Sequence, residues 1–340
     1  MKKVLKWVGL GAVGLVLFAG LALSYVSFAL PREDAVDPAL KITATPEQLA
    51  RGKYLAEHVS DCLSCHSQRD WSRFGAPVTP GSEYRGGDPI FDQRIGLPGR
   101  FLARNITPHG LSRYSDGELV RVLRTGVTKE GEPLFPMMPY RNYREMSERD
   151  LHAVIAYVRS LPSAASEVPP HAPEGPFRFI LRLIPESAPP YPAAPDPKDH
   201  VAYGRYLTTI ASCGDCHTPT NRGQPLHGMF LAGGFEFPLL NVEDGSLAKL
   251  PKGKLRTPNI TPDNDTGIGN WSRDQFVQRF RDFRGEAGVR RAVKVKNGQF
   301  QSIMPWYFYA GMTDDDLGAI YDYLRTVPPV RHAVVRFEPG

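Results

Sequence analysis

The cysteines are the feature that most constrains how this chain folds. The 340-residue sequence contains four cysteines. All four fall in two copies of one five-residue pattern, Cys62-Leu-Ser-Cys65-His66 and Cys213-Gly-Asp-Cys216-His217. None is left over. Cysteines that are all placed in two identical motifs indicate one specific chemistry, repeated, rather than general cross-linking of the chain.

The spacing within each motif suits covalent attachment of haem. In Cys-x-x-Cys-His, the two thiols add to the vinyl groups of haem and the histidine becomes the proximal iron ligand. The motifs therefore predict two haem c groups, attached through Cys62, Cys65, Cys213 and Cys216, with His66 and His217 on the irons. A zinc site needs cysteine pairs about 12–20 residues apart. Here 147 residues separate Cys65 from Cys213, and a redox dithiol needs no neighbouring histidine.

The amino-terminal residues predict a membrane segment. Lys2, Lys3 and Lys6 precede an uncharged stretch at residues 7–30, 24 residues long. About 20 apolar residues in a helix cross a hydrocarbon core, so we expect residues 1–31 to be a single membrane anchor. A cleaved signal peptide is the alternative, because Ser27-Phe28-Ala29 fits a small-x-small cleavage site. The lysines mark the cytoplasmic side, which predicts a bacterial inner membrane protein with its haem domains in the periplasm.

The chain repeats itself, which predicts two tandem domains of one kind. A Gly-x-Tyr-Leu segment precedes each haem motif, and Asn-Ile-Thr-Pro and Met-Pro-aromatic segments follow each one in the same order. The matching positions are Gly52 and Gly204, Asn105 and Asn259, Tyr114 and Trp271, Met138 and Met304, and Met146 and Met312. The predicted domains cover residues 45–161 and 198–329, followed by a tail at 330–340.

The hydrophobic pattern of both domains is helical. Each closing segment begins with a capping residue and an acidic turn, at Ser147 and Thr313, and continues with apolar residues at helical spacing. A helix opening at Thr45-Pro46 and middle helices near residues 116–123 and 274–283 complete the pattern. No convincing strand alternation is present. The predicted fold class is therefore all-α.

Residues 162–197 contain eleven prolines and predict a stiff, extended linker between the domains. Within it, residues 177–184 form an apolar stretch with two arginines. Packing across the two domains is the favoured interpretation of this stretch. Contact with lipid or with a partner subunit is the alternative.

Together these landmarks resemble the class I cytochrome c domain, an all-helical fold around haem. Over roughly residues 45–161 and 198–329, the chain is similar to the cytochrome c subunits of membrane-bound bacterial dehydrogenases for alcohols, aldehydes and gluconate. Many of those subunits carry three haems, whereas this chain has two attachment motifs. The resemblance implies a one-electron carrier. Its donor would be a dehydrogenase and its acceptor the quinone pool or a terminal oxidase.

The resemblance also implies the sixth ligand of each iron. In the family pattern the methionine before Pro-Tyr or Pro-Trp is the distal ligand, which carries over to Met138 and Met304. Met137 competes with its neighbour, but Ile303 precedes Met304, so the repeat favours Met138. An iron with both axial positions filled exchanges electrons, whereas an open one binds small molecules. A dihaem peroxidase or a gas sensor is therefore the weaker alternative, and no catalytic residue is predicted.

Four further residues are candidates for haem contacts. Tyr114 and Trp271 each combine a polar donor with a flat apolar body, and we expect both to face a haem propionate. Ordinary core packing is the alternative for these two. Asn105 and Asn259 either line the haem edge or form turns, and the residues alone leave both interpretations open.

The net charge of +5 does not by itself exclude any class of partner. Export across a membrane argues against a nucleic-acid partner. The basic cluster at residues 279–296 is interpreted first as a solvated face and second as a surface that steers an acidic partner. The expected partners are thus redox proteins and, through the first helix, membrane lipid.

Overall fold

A computed structural model of the chain describes residues 2–32, 34–87, 92–93, 96–221, 223–242 and 249–339, with only the backbone given at 249–252. Its first element is α1 (Lys2–Ala29), a helix with no buried residue. This helix is long and apolar enough to cross a membrane, with a mean hydropathy of 2.0 over 18 residues. A signal sequence near an amino terminus meets the same criterion.

The first half of the chain opens and closes with helices at the predicted places. Thr45 caps α2 through a capping box with Gln48, and Pro46 occupies its first turn, so the predicted start is confirmed. Ser147 caps the closing helix. The elements are α2 (Pro46–Tyr54), a π-helical turn (Leu55–Val59), α3 (Cys62–Cys65), β1 (Gly99–Arg100), α4 (Pro108–Leu111), α5 (Asp116–Thr125), α6 (Tyr140–Tyr143) and α7 (Glu148–Ser160).

The second half repeats this order and adds strands. Thr313 caps its closing helix, as expected from the sequence. After β2 (Ala172–Pro173) and α8 (Phe177–Arg182) of the linker, its elements are α9 (His200–Ile210), α10 (Cys213–His217), β3 (Thr220–Asn221), β4 (Gln224–Pro225), β5 (Glu236–Leu240), β6 (Lys249–Arg256), α11 (Arg273–Arg281), α12 (Gly285–Arg291), α13 (Trp306–Tyr309), α14 (Asp314–Leu324) and β7 (Phe337–Glu338).

Opening and closing helices approach each other at a glycine in both halves. A Cβ atom on Gly52 of α2 would lie 1.9 Å from the carbonyl oxygen of Ala153 in α7. A Cβ atom on Gly204 of α9 would lie equally close, at 1.9 Å, to the oxygen of Ala319 in α14. No side chain fits at these contacts, so the repeated glycine of the sequence has a packing role in each half.

The strands were not expected from the sequence. In the second half, β5, β6 and β7 form an antiparallel sheet in which Phe237 pairs with Leu255, and Leu255 with Phe337. Pro238 lies within β5, and the register shifts between Pro238 and Leu240. A proline is rare inside a strand, and a shift of register interrupts the alternation of inward and outward residues. The sequence therefore lacks the two-residue pattern by which a strand is recognised. Within the part of the chain that the structure describes, the remaining strands form two pairs, β1 with β2 and β3 with β4.

The linker is not extended throughout, unlike the prediction. Its apolar stretch forms α8, which buries Leu181 and places the Phe177 ring 6.2 Å from that of Phe101 and 6.1 Å from that of Phe135. Phe177 and Leu181 are four residues apart, so they share one face of the helix. This face packs on the first half of the chain.

The two halves share one hydrophobic core and contact each other reciprocally. Buried side chains of both halves, such as Leu55, Ile155, Leu207 and Leu317, belong to one cluster. Across the boundary, the Tyr54 hydroxyl donates to Asp316 (2.5 Å) and the Tyr206 hydroxyl donates to Asp150 (2.7 Å). Tyr54 and Tyr206 occupy matching positions in the repeat, as do Asp150 and Asp316. The halves are thus joined by the same contact made twice, as across a two-fold axis.

Candidate functional site

Both haem motifs begin at a strained turn that a buried tyrosine holds. Asp61 and Ser212, which precede the first cysteine of each motif, have positive φ values of 52° and 57°. Just before them, the Tyr143 hydroxyl donates to the Ser60 oxygen (2.5 Å) and the Tyr309 hydroxyl donates to the Ala211 oxygen (2.7 Å). Burial raises the pKa of both tyrosines well above the usual range, so both remain protonated donors.

These tyrosines were missed in the sequence. Tyr143 follows Met138, and Tyr309 follows Met304, at the same offset of five residues. This equal offset could have identified the tyrosines in the sequence, just as an equal offset identified Met146 and Met312. Each tyrosine ties the helix after its methionine to the turn before its cysteines, so the two ends of each candidate site are connected.

The motif histidines are buried and oriented alike. His66 Nδ1 lies 2.7 Å from the carbonyl oxygen of Arg104, and His217 Nδ1 lies 2.9 Å from that of Pro258. A carbonyl oxygen only accepts, so Nδ1 carries the proton and Nε2 keeps its lone pair. Burial lowers the pKa of both imidazoles, against the effect of these carbonyl groups. A neutral imidazole fixed through one nitrogen is the form that binds a metal through the other.

The backbone of each motif histidine is held by a hydrogen bond from a glycine amide. The amide of Gly86 donates to the His66 oxygen (2.6 Å) and that of Gly233 to the His217 oxygen (2.7 Å). These glycines have positive φ values of 75° and 73°. A Cβ atom would lie 2.5 Å from the Ala103 oxygen at Gly86 and 2.4 Å from a backbone nitrogen at Gly233. Both were missed, although a Gly-Gly pair recurs at 86–87 and 233–234.

Asn105 and Asn259 hold the loops that supply the histidine partners. The Asn105 oxygen accepts from the Thr107 amide (2.9 Å), and its amide nitrogen donates to the Ala164 oxygen (2.8 Å). Asn259 does the same with the Thr261 amide (2.9 Å) and the Val330 oxygen (2.7 Å). Both side chains therefore form turns and fasten the loop to the chain beyond the closing helix. A contact with the haem edge stays a prediction.

The methionines differ in burial. Met138 and Met304 are partly buried against the core that contains Cys62, and the amides of Tyr140 and Trp306 donate to their oxygens, both at 2.8 Å. Met137 is 42% exposed. This environment favours Met138 over Met137, and the ligand role of Met138 and Met304 stays a prediction.

Tyr114 and Trp271 stand at matching places with different surroundings. Each immediately precedes a capping serine, of α5 and of α11 respectively. Tyr114 packs against the core, whereas Trp271 is 38% exposed beside α11. Each uses its carbonyl oxygen to accept from a side chain of the closing helix, Arg159 and Tyr321 respectively. Their expected contact with propionates stays a prediction.

The cysteines fit covalent haem better than zinc. No disulfide joins them. Burial, with Asp61 and Cys65 nearby, raises the pKa of the Cys62 thiol to about 12, so the thiol is protonated when nothing is bound to it. Among the described residues, no three His, Cys, Asp or Glu side chains cluster closely enough to hold a metal ion. Two thiols followed by an imidazole with an available Nε2 match the donor set of haem c.

The two motifs lie near the boundary between the halves. Asn142 of α6 donates to the Asp215 carboxylate (2.8 Å) and the Ser212 hydroxyl (2.9 Å) of the other half. Asp61 accepts from Ser64 (2.5 Å), and burial raises its pKa to about 7. The same carboxyl is close enough to raise the pKa of Tyr309 in the other half, after burial. The attachment segments therefore face each other across the boundary.

Known proteins resemble this chain over most of its length. A family model described as cytochrome c matches residues 201–328. The cytochrome c subunit of a quinone alcohol dehydrogenase from Gluconobacter oxydans is 28% identical over 93% of this chain and 61% of its own length. The gluconate 2-dehydrogenase cytochrome c subunit of Pantoea cypripedii is 28% identical over 90% and 64%. A "Diheme cytochrome c-type" protein of Cereibacter sphaeroides is 30% identical over 92% and 98%. The chain thus spans less than two thirds of these dehydrogenase subunits and nearly all of the last protein.

Proposed function

The chain belongs to the cytochrome c family, and from this premise we propose that it is a dihaem carrier that passes single electrons from an exported dehydrogenase to the respiratory chain. The observation that carries the proposal is the duplicated histidine site. Each buried imidazole donates through Nδ1 to the backbone just before an Asn-Ile-Thr-Pro loop, at 2.7 and 2.9 Å. The family model covers one of these sites. The matching geometry of the other supports a second haem.

The proposed role of each site follows from its residues. Haem c supplies reversible one-electron exchange at its iron. Cys62 and Cys65 would hold one haem covalently, and His66 Nε2 and Met138 would bind its iron. The corresponding residues of the second half would do the same for a second haem: Cys213, Cys216, His217 and Met304. A thioether ligand stabilises the reduced state and raises the potential. With a histidine and a methionine bound to each iron, neither iron would keep an open position for a substrate.

The arrangement of the halves supports transfer within the chain. We assign two tandem helical cytochrome c domains, at residues 45–161 and 198–329, on the basis of their repeated elements. Asn142 bridges from the first domain to Ser212 and Asp215 next to the second haem motif. Haems held by the two motifs would both lie near the boundary between the halves, which supports electron exchange between them.

The partners are inferred from the relatives. Those named as subunits of quinone alcohol, gluconate and fructose dehydrogenases support a dehydrogenase as the electron donor. The quinone pool or a terminal oxidase is the proposed acceptor. The helix α1, which is apolar and has no buried residue, is the proposed anchor in a bacterial inner membrane, with both domains in the periplasm.

The test is the mass of the purified holoprotein after acid denaturation. It should exceed the polypeptide mass by two haem masses. The double variants Cys62→Ala/Cys65→Ala and Cys213→Ala/Cys216→Ala should each lose one haem. A wild-type protein that carries one haem would refute the dihaem proposal.

The carrier role has its own test. The isolated protein should be reduced and reoxidised by small mediators, and alcohols, aldehydes or sugars should reduce it only when a dehydrogenase is added. Sustained turnover of hydrogen peroxide by the isolated protein would contradict the carrier role.

A further inference from the structure

The helix α8 carries two exposed apolar side chains at its carboxyl-terminal end. Ile180 in α8 is 49% exposed, and Leu183, the residue that follows α8, is 59% exposed. Leu181, which follows Ile180 in the helix, points inward and is buried. We call Ile180 and Leu183 the α8 surface. They are three positions apart and share one side of the helix, and exposed aliphatic side chains on one side are typical of helices that lie in a membrane interface.

The α8 surface lies where α1 ends. A guanidinium nitrogen of Arg182 donates to the Leu30 oxygen (2.7 Å) just beyond α1. A few residues further on, the Ala188 amide donates to the Asp34 carboxylate (2.8 Å). These two bonds fasten the linker on both sides of α8 to the chain that leaves α1. The position of α8 relative to α1 is therefore fixed by the structure.

The positions of Trp7 and Tyr25 in α1 indicate the depth of α8 relative to the membrane. Trp7 and Tyr25 are exposed, at 73% and 52%, and such residues mark the two interfaces of a membrane span. They are 18 positions apart, about 27 Å at 1.5 Å per residue, close to the ~30 Å hydrocarbon core. Leu30 lies five positions further, or about 7 Å beyond Tyr25, which is the depth of the lipid headgroups.

We propose that the α8 surface binds the phospholipid headgroup layer of the membrane that α1 enters, with Ile180 and Leu183 at the acyl boundary. This inference rests on the proposed anchor role of α1. A second membrane contact beside the anchor stops the haem domains from swinging about α1. It thereby sets which face of the domains is turned toward partners in or on the membrane.

The test uses the full holoprotein in nanodiscs of phosphatidylethanolamine and phosphatidylglycerol. A photoreactive benzophenone amino acid replaces Leu183 or, as a second variant, Ile180. The matched control places it at Val289 of α12, which is 76% exposed. After illumination, phospholipid adducts are counted by mass spectrometry. Lipid adducts at 183 and 180 should exceed those at 289 by about tenfold or more, because only an interfacial side chain has lipid as its neighbour. The haem spectrum controls for folding.

The outcomes separate this inference from the anchor itself. If the chain stays with the membrane through a high-salt wash but 180 and 183 give no more lipid adduct than 289, the α8 surface does not bind lipid and the anchor stands. If the adducts at 183 are with a co-purified protein, the α8 surface is a subunit interface and the inference is wrong. If the holoprotein is recovered soluble without α1, the anchor and the lipid contact both fail.

Discussion

Removing the Tyr206 hydroxyl should weaken the contact between the halves more than removing the Tyr54 hydroxyl, which occupies the matching position of the repeat. This hydroxyl donates to Asp150 at 2.7 Å, and the two residues are only 9% and 7% exposed. Tyr206→Phe keeps the ring and leaves Asp150 with its two bonds to Arg51, at 3.0 and 2.7 Å. A buried hydrogen bond to a charged group contributes roughly 1.5–3 kcal/mol to the free energy of unfolding. We expect Tyr206→Phe to lower that free energy by this amount.

The chain offers a matched control in Tyr54→Phe. Tyr54 makes the reciprocal bond to Asp316, but both residues are only partly buried. Water replaces the lost partner there, so the expected cost is nearer 0.5–1 kcal/mol, roughly the value of an ordinary hydrogen bond. The two variants remove the same atom from matching positions, so the difference between them measures the effect of the surroundings, which at Asp150 include deeper burial and the pair with Arg51.

The measurement is urea unfolding of the detergent-solubilised holoprotein, followed by circular dichroism and by haem absorbance. Because two domains need not unfold together, the midpoint of each transition is compared at an unchanged slope. The reasoning is refuted if Tyr206→Phe leaves every midpoint unchanged, or if Tyr54→Phe lowers them more.

Three further predictions concern the haem sites and the core. Met138→Ala should remove about half of the sulfur-to-iron absorption band of the oxidised protein; if Met137→Ala halves the band instead, the choice between the neighbours is wrong. Burial raises the pKa of Asp61 to about 7, above its unfolded value of about 4. Its contribution to stability is therefore present below about pH 4 and lost as the pH rises through 7. Asp61→Asn should flatten that part of a plot of urea midpoint against pH; an unchanged slope would contradict this. Gly52→Ala and Gly204→Ala should each lower the free energy of unfolding by about 1–3 kcal/mol, because the added methyl group overpacks the helix contact. The loss is read from the unfolding midpoints. Unchanged midpoints would show that the helices can move apart to accommodate the methyl group.

The sequence alone determined the chemistry and the helical framework, because both are encoded locally. Each haem motif is five consecutive residues, and spacing within one turn of chain decides what it can bind. Helix starts at Thr45 and Ser147 follow from side chains that cap amides three residues away. The preference for Met138 over Met137 came from comparing the halves, and the exposure of Met137 agrees with it.

Only the tertiary structure decided what joins distant parts of the chain. The bond from His66 to Arg104 spans 38 residues, and that from Tyr206 to Asp150 spans 56. No local pattern marks such pairs, because each partner meets its mate only after the helices have packed. The folding of residues 177–182 into α8 was hidden for the same reason. Its inward face is stabilised by Phe101 and Phe135, which the proline-rich sequence around it does not reveal.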